Sequence, residues 1–277
     1  LERRVVFDYL LPIISCLIIS LGFVRLFLIG GLGNYIRGSP SGFLEQITWT
    51  VSLTIVGLLG VLLLYWLARR RKGFEARILV ALVVAPTSAI LVIIVSQTVL
   101  MVVAKSVSSW MTSIIVLISL YVSVFSMIFI MSNVFSSRVR NFIFVVYGAL
   151  LGSFISLLLP SVSLIVMLVV VAVFDLLLLN IGWVVEVIRG FGDRPKSPRI
   201  SYVGEDVEVG MGELIFYSFL PAHVEAYYGE GLLLVTLLMV GIGVMLNLWL
   251  LERRGVVAGL PAPILLGLAP LIVYLLL

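Results

Sequence analysis

The sequence predicts an all-α, polytopic membrane protein that crosses a bilayer about nine times with its N-terminus in the cytoplasm. Three observations carry that prediction. First, 62% of the 277 residues are hydrophobic and only 12% are charged, against ~25% charged residues in an ordinary soluble domain. Second, apolar runs long enough to cross a hydrocarbon core of ~30 Å recur at 5–29, 46–68, 78–104, 110–131, 141–159, 162–180, 210–228, 232–251 and 257–277. Third, nine crossings put clusters at Arg3-Arg4, 69–77, Arg138 with Arg140, 189–199 and Arg253-Arg254 on one face, fifteen basic residues in all. Only Arg25, Arg37 and Lys105 fall on the other, a split that follows the positive-inside rule. Fusing the fifth and sixth runs across Pro160-Ser161 would destroy this alternation. The net charge of +4 therefore reflects topology. Its dispersal over five segments without a binding module gives no nucleic-acid footprint.

Taken in order, the first run follows Arg3-Arg4 but is too long for a signal-peptide core and has no small-x-small cleavage site, so it reads as a retained helix. Cys16, the only cysteine, excludes an internal disulfide and a cysteine-based zinc site. Residues 30–45 read as an external loop rich in Gly, Ser and Pro, and 69–77 as a basic anchor beside anionic headgroups. Pro86 and Gln97 in the third run and Asn247 in the eighth are explained by kinks or interhelical hydrogen bonds. Gly148 and Gly152 in the fifth have small-xxx-small spacing, which permits close helix packing. No repeat supports an inverted-repeat transporter. The chain thus reads as one membrane domain over 1–277, with helices one to five over 5–159 and helices six to nine over 162–277. His223, Glu225 and Glu230, at the external end of the seventh run, read as solvated loop residues in preference to a metal cluster.

Two carboxylates lodge in apolar runs, where ionisable groups are costly and mark functional sites by default. Asp175 lies five residues before the helix-ending Asn180-Ile181-Gly182, about 7 Å along the axis, and Glu213 lies three residues after Gly210, about 5 Å in. Both runs meet the same cytoplasmic loop, 190–209, so the two groups sit at similar depth and can meet. Two carboxyls in a poorly solvated site hold one proton between them and titrate as a pair, the arrangement by which aspartic proteases activate water and protonate a leaving amine. Gly210 and Gly212, flanking Met211, would permit close approach and local unwinding there. In the loop, β-prone runs flank Gly204-Glu205-Asp206, so an extended substrate could add as a strand; a mobile loop is the other reading. Asp175 could instead pair with a lysine, a serine or backbone while Glu213 lies at the interface. A rival from another class is an ion- or proton-coupled carrier or leak pathway using Asp175, Glu213 and Glu186.

Gly210-Met211-Gly212-Glu213-Leu214-Ile215-Phe216-Tyr217-Ser218 closely resembles the GxGD-F-I-F-Y-S motif that opens the seventh helix of presenilins. Phe174-Asp175 resembles the Tyr-Asp motif of their sixth helix, and Leu260-Pro261-Ala262-Pro263-Ile264 the Pro-Ala-Leu-Pro motif of their ninth. The chain is thereby similar to the presenilin and signal-peptide-peptidase family of GxGD intramembrane aspartyl proteases, in an archaeal-type, short-looped form. The basic-residue split places the C-terminus outside, and the resemblance implies a multi-pass protein of the cell membrane that cleaves transmembrane helices or remnant signal peptides entering laterally from the lipid. It implies no metal or cofactor, Asp175 and Glu213 as the catalytic pair, and support from Phe174, Gly210, Met211, Gly212, Leu260, Pro261, Ala262 and Pro263. Three departures stand out: Phe174 lacks the tyrosine hydroxyl, Pro263 replaces or shortens the family's leucine, and Glu213 stands in place of aspartate. The extra methylene moves the carboxyl by over an ångström, where misplacement by about 1 Å can cost about a hundredfold in rate. Glu213 then either works in a re-spaced dyad or silences the site, naturally or by design, leaving a helix-binding protein.

Overall fold

A computed structural model describes residues 3–32, 73–106, 108–132, 135–180, 201–203, 208–254 and 257–277, with isolated positions between 48 and 59. Among the described residues there are eight helices: α1 (Arg3–Ile29), α2 (Gly73–Ala104), α3 (Ser109–Met131), α4 (Ser137–Leu158), α5 (Ser161–Asn180), α6 (Met211–Tyr228), α7 (Glu230–Arg254) and α8 (Pro261–Leu276). Two short strands, β1 (Ser201–Val203) and β2 (Glu208–Gly210), pair antiparallel just before α6 with Tyr202 opposite Val209. The apolar run at 46–68 lies largely outside the described residues, as do 181–200 and the turn at 204–207. Five helices are long and apolar enough to cross a membrane, and α5 and α8 contain shorter apolar segments; the protein is a multi-pass membrane protein.

Several boundaries overrun the apolar runs because a helix does not end where hydrophobicity ends. Thus α2 begins at Gly73, taking in Glu75, and α7 continues to Arg254. The last helix starts later than its apolar run, at Pro261: proline suits the first helical position, where its missing N–H leaves no bond unmade. Leu159 and Pro160 separate α4 from α5, as the basic-residue alternation requires.

At the centre stands α6, packed against α1, α4, α7 and α8. Its Leu214, Tyr217, Phe219, Leu220 and Val224 form the spine of the main buried cluster. Close approach of α4 depends on two glycines. A Cβ on Gly148 would lie 3.2 Å from the Leu214 Cβ, and one on Gly152 would collide with the Ser218 hydroxyl, so the small-xxx-small face meets one turn of α6. The other side is fastened by α1, where the Cys16 thiol and the Ser20 hydroxyl donate to the carbonyls of Leu214 and Ser218, each at 3.4 Å. By contrast, α2 and α3 pack chiefly on each other at the periphery and present exposed apolar side chains that a bilayer would cover.

Candidate active site

Asp175 lies near the end of α5 and Glu213 in the first turn of α6, both half-buried. These two helices touch only lightly; α5 packs more on α8. What joins the carboxylates is the peptide unit between Gly259 and Leu260, just ahead of α8. Its N–H, on Leu260, donates to Asp175 Oδ2 at 3.0 Å. Its carbonyl, on Gly259, accepts from the Tyr217 hydroxyl at 2.6 Å and from the Asn247 side-chain amide. Because a peptide unit is planar and stiff, fixing the carbonyl from α6 and α7 aims the N–H at α5.

Glu213 meets the same segment from the other side. A Cβ on Gly259 would overlap the Glu213 carboxylate, so glycine at 259 is what makes room for it. Asp175 acts electrostatically on Glu213. Tyr9, from α1, lies beside Tyr217 and Asn247. Tyr9, Tyr217 and Asn247 are all buried, at 4%, 1% and 3% exposure, which holds the Gly259 carbonyl in a closed polar cluster. Buried hydrogen bonds of this kind are costly to leave unmade. Two carboxyl groups placed this way feel each other's charge, and one of them is held by a backbone amide.

The supporting residues expected from sequence divide. Met211, Leu260, Pro261 and Pro263 are buried, while Phe174 and Ala262 are half-buried. Gly243 of α7 lets the backbone of Ala262 and Pro263 lie directly against it. The two glycines beside Met211 act differently from the expected unwinding. Gly210 ends β2 at φ −65° and ψ 140°, a conformation open to any residue. Gly212 is already helical, with nothing within 4 Å of where its Cβ would be; it leaves open space one residue before Glu213. The β-prone runs pair with each other as β1 and β2, and Val209 is fully buried. Burial, together with the Asp8 carboxylate of α1, pushes the Tyr202 phenol above its usual range, which places the hairpin against α1.

The other end of α6 overturns the solvated-loop reading of His223 and Glu225. His223 is fully buried inside the helix, its Nδ1 2.8 Å from the Ser156 carbonyl and its Nε2 3.0 Å from the Ser161 hydroxyl. The Glu225 side chain, 6% exposed, takes a 2.5 Å ion pair from Arg25; Glu230 is exposed and joins the same arginine at 3.1 Å. These side chains pin α1 and the α4–α5 break to α6, and no group of three potential metal ligands occurs among the described residues. Sequence reasoning missed Tyr9, Tyr217 and Gly259 as parts of the site, and treated Asn247 as generic. The lone amide within an apolar run was the one available signal.

Fold and site together define a helical membrane protein with two carboxylates converging on a single peptide unit at one end of its central helix. The architecture is similar to that of a solved presenilin family intramembrane aspartate protease, at a TM-score of 0.59 and 15% sequence identity, covering 96% of this chain and 100% of that one. At that identity the likeness concerns the fold. No protein-family sequence profile matches the chain, and no curated protein matches it.

Proposed function

We propose that this chain is an intramembrane aspartyl protease of the GxGD type, hydrolysing peptide bonds in transmembrane helices or remnant signal peptides through Asp175 and Glu213. The observation that carries the reading is the convergence of both carboxylates on the Gly259–Leu260 peptide. In that reading one carboxyl draws a proton from water as it attacks the scissile carbonyl, and the other donates to the oxyanion and the leaving amine. Open space at Gly212 gives water or substrate a way in, and the β1–β2 hairpin offers an edge on which an unwound substrate can extend. Phe174, Met211 and the 260–263 segment shape the walls. The reading takes nine crossings, with the N-terminus cytoplasmic and the C-terminus external, a site in the cell membrane, substrates arriving from the bilayer, and neither cofactor nor nucleic acid.

The test is cleavage of a tagged model transmembrane substrate in liposomes by the unmodified protein, Asp175→Ala and Glu213→Asp. Cleavage by the unmodified protein that falls at least about a hundredfold in Asp175→Ala is expected. Activity only in Glu213→Asp would mean a scaffold silenced by one methylene, a helix-binding protein. Silence from all three, beside a solved-family protease that cleaves in the same vesicles, would sink the protease reading and favour carboxylate-linked transport.

A further inference from the structure

A second site lies away from the carboxylates, where the C-terminal end of α3, the N-terminal end of α4 and the start of α6 come together. A cavity of about 70 Å³ opens there, lined mainly by apolar and aromatic side chains including Phe129, Phe144, Tyr147 and Met211. Its aromatic wall is ordered: Phe129 meets Phe144 edge-on, with ring centroids 5.9 Å apart. The polar side chains that line it include Ser126 and Tyr147, whose hydroxyls are bonded to Val122 and Thr87, and Arg140 and Ser132. The Arg140 Nε and the Ser132 hydroxyl oxygen are both buried and have no hydrogen-bond partner among the described residues.

Buried donors left unmade are costly, and the great majority in folded proteins find a partner. Two of them facing one apolar cavity mark a place for an acceptor that none of the described residues supplies. A guanidinium with a free N–H selects an anionic oxygen, and phosphate suits its planar geometry. The apolar lining selects methylenes, and the position at three helix ends is where headgroups and acyl chains meet. The cavity is several water volumes in size, enough for a headgroup oxygen and the first carbons of a chain. It cannot enclose a whole lipid.

We propose that this cavity is a binding site for an anionic phospholipid, its phosphate held by Arg140 and Ser132 and the start of its acyl region lying on Phe129, Phe144 and Met211. The bound lipid lies two residues along α6 from Glu213. The site does not depend on the protease reading, since binding is measured without any substrate.

Native mass spectrometry of the delipidated, detergent-solubilised protein, titrated with dioctanoyl phosphatidylglycerol, dioctanoyl phosphatidylcholine or inorganic phosphate, tests it. The expected result is a saturable one-lipid adduct with the phosphatidylglycerol, weakened about tenfold or more in Arg140→Gln and little changed in Arg138→Gln, which removes an equally positive but exposed side chain outside the cavity lining. Equal adducts with phosphatidylcholine would overturn the charge selection. Phosphate alone competing as well as the lipid would reduce the site to a free-anion site and overturn the lipid assignment. Should Arg140→Gln fail to fold, Ser132→Leu fills the polar corner while keeping the charge. It is expected to abolish the saturable adduct, and an unchanged adduct would overturn the proposal.

Discussion

Helices α3 and α6 differ in a way that reverses the usual use of hydropathy. Of the 23 residues of α3, only Ile115, Ser119 and Phe129 are buried, whereas eleven of the 18 residues of α6 are. Yet α3 qualifies on length and composition as a membrane span and α6 does not. The periphery must be apolar because lipid solvates nothing else. The centre can carry Tyr217, Ser218 and His223 because other parts of the chain supply their partners. In a bundle of this kind a helix with ionisable and hydroxyl side chains along an apolar run is the one to suspect of lying in the middle.

The comparison can be broken at its most sensitive point with Gly259→Ala. The added methyl must displace the Glu213 carboxylate, which is the mobile end of a side chain, so the fold survives while substrate cleavage falls at least about a hundredfold. Combining it with Glu213→Asp, which withdraws the carboxyl, should recover part of the loss; no recovery would place the fault elsewhere. Next in size is Leu220→Ala, at a fully buried position of α6. It should lower stability by about 2 kcal/mol, chiefly through the cavity left behind, measured as denaturant unfolding in one fixed detergent. Tyr217→Phe removes one donor from the Gly259 carbonyl and should cost about 1 kcal/mol, with a non-additive cycle against Asn247→Ala because both serve one acceptor. The smallest effect belongs to α3. Leu117→Ala, 55% exposed, should stay within about 0.5 kcal/mol, since trading one apolar surface for another against lipid changes little. A cost for Leu117 matching that for Leu220 would erase the distinction.

Much of the architecture was legible because membrane constraints write themselves into composition. Apolar runs located every described helix, and the alternation of basic clusters separated α4 from α5 at Pro160. Asp175 and Glu213 were legible for the opposite reason: a carboxylate in an apolar run breaks the rule. The remainder of the site was not, because it is made by a peptide plane. Nothing in the local sequence says that the Gly259 carbonyl will face Tyr217, 42 positions earlier, or that the Leu260 amide will reach Asp175, 85 positions earlier. Gly210 and Gly212 misled in the same way, since glycine advertises freedom without saying which conformation, or which empty space, uses it. His223 and Glu225 were misjudged because polarity near a helix end looks like solvent exposure until the partners from α1 and α4 are known.

The bonds from Cys16, Ser20 and Arg25 to α6 each span about 200 residues of chain. During synthesis α1 is therefore made long before the helix it fastens. When α6 emerges it carries Glu213, His223 and Glu225, which other helices surround in the finished bundle. It enters a cleft already furnished by α1 and α4, whose glycine face and hydrogen-bond donors stand waiting. The surroundings of Glu213 are thus completed only as the bundle closes, and a truncated chain lacking α1 should leave α6 without the bonds from Cys16, Ser20 and Arg25.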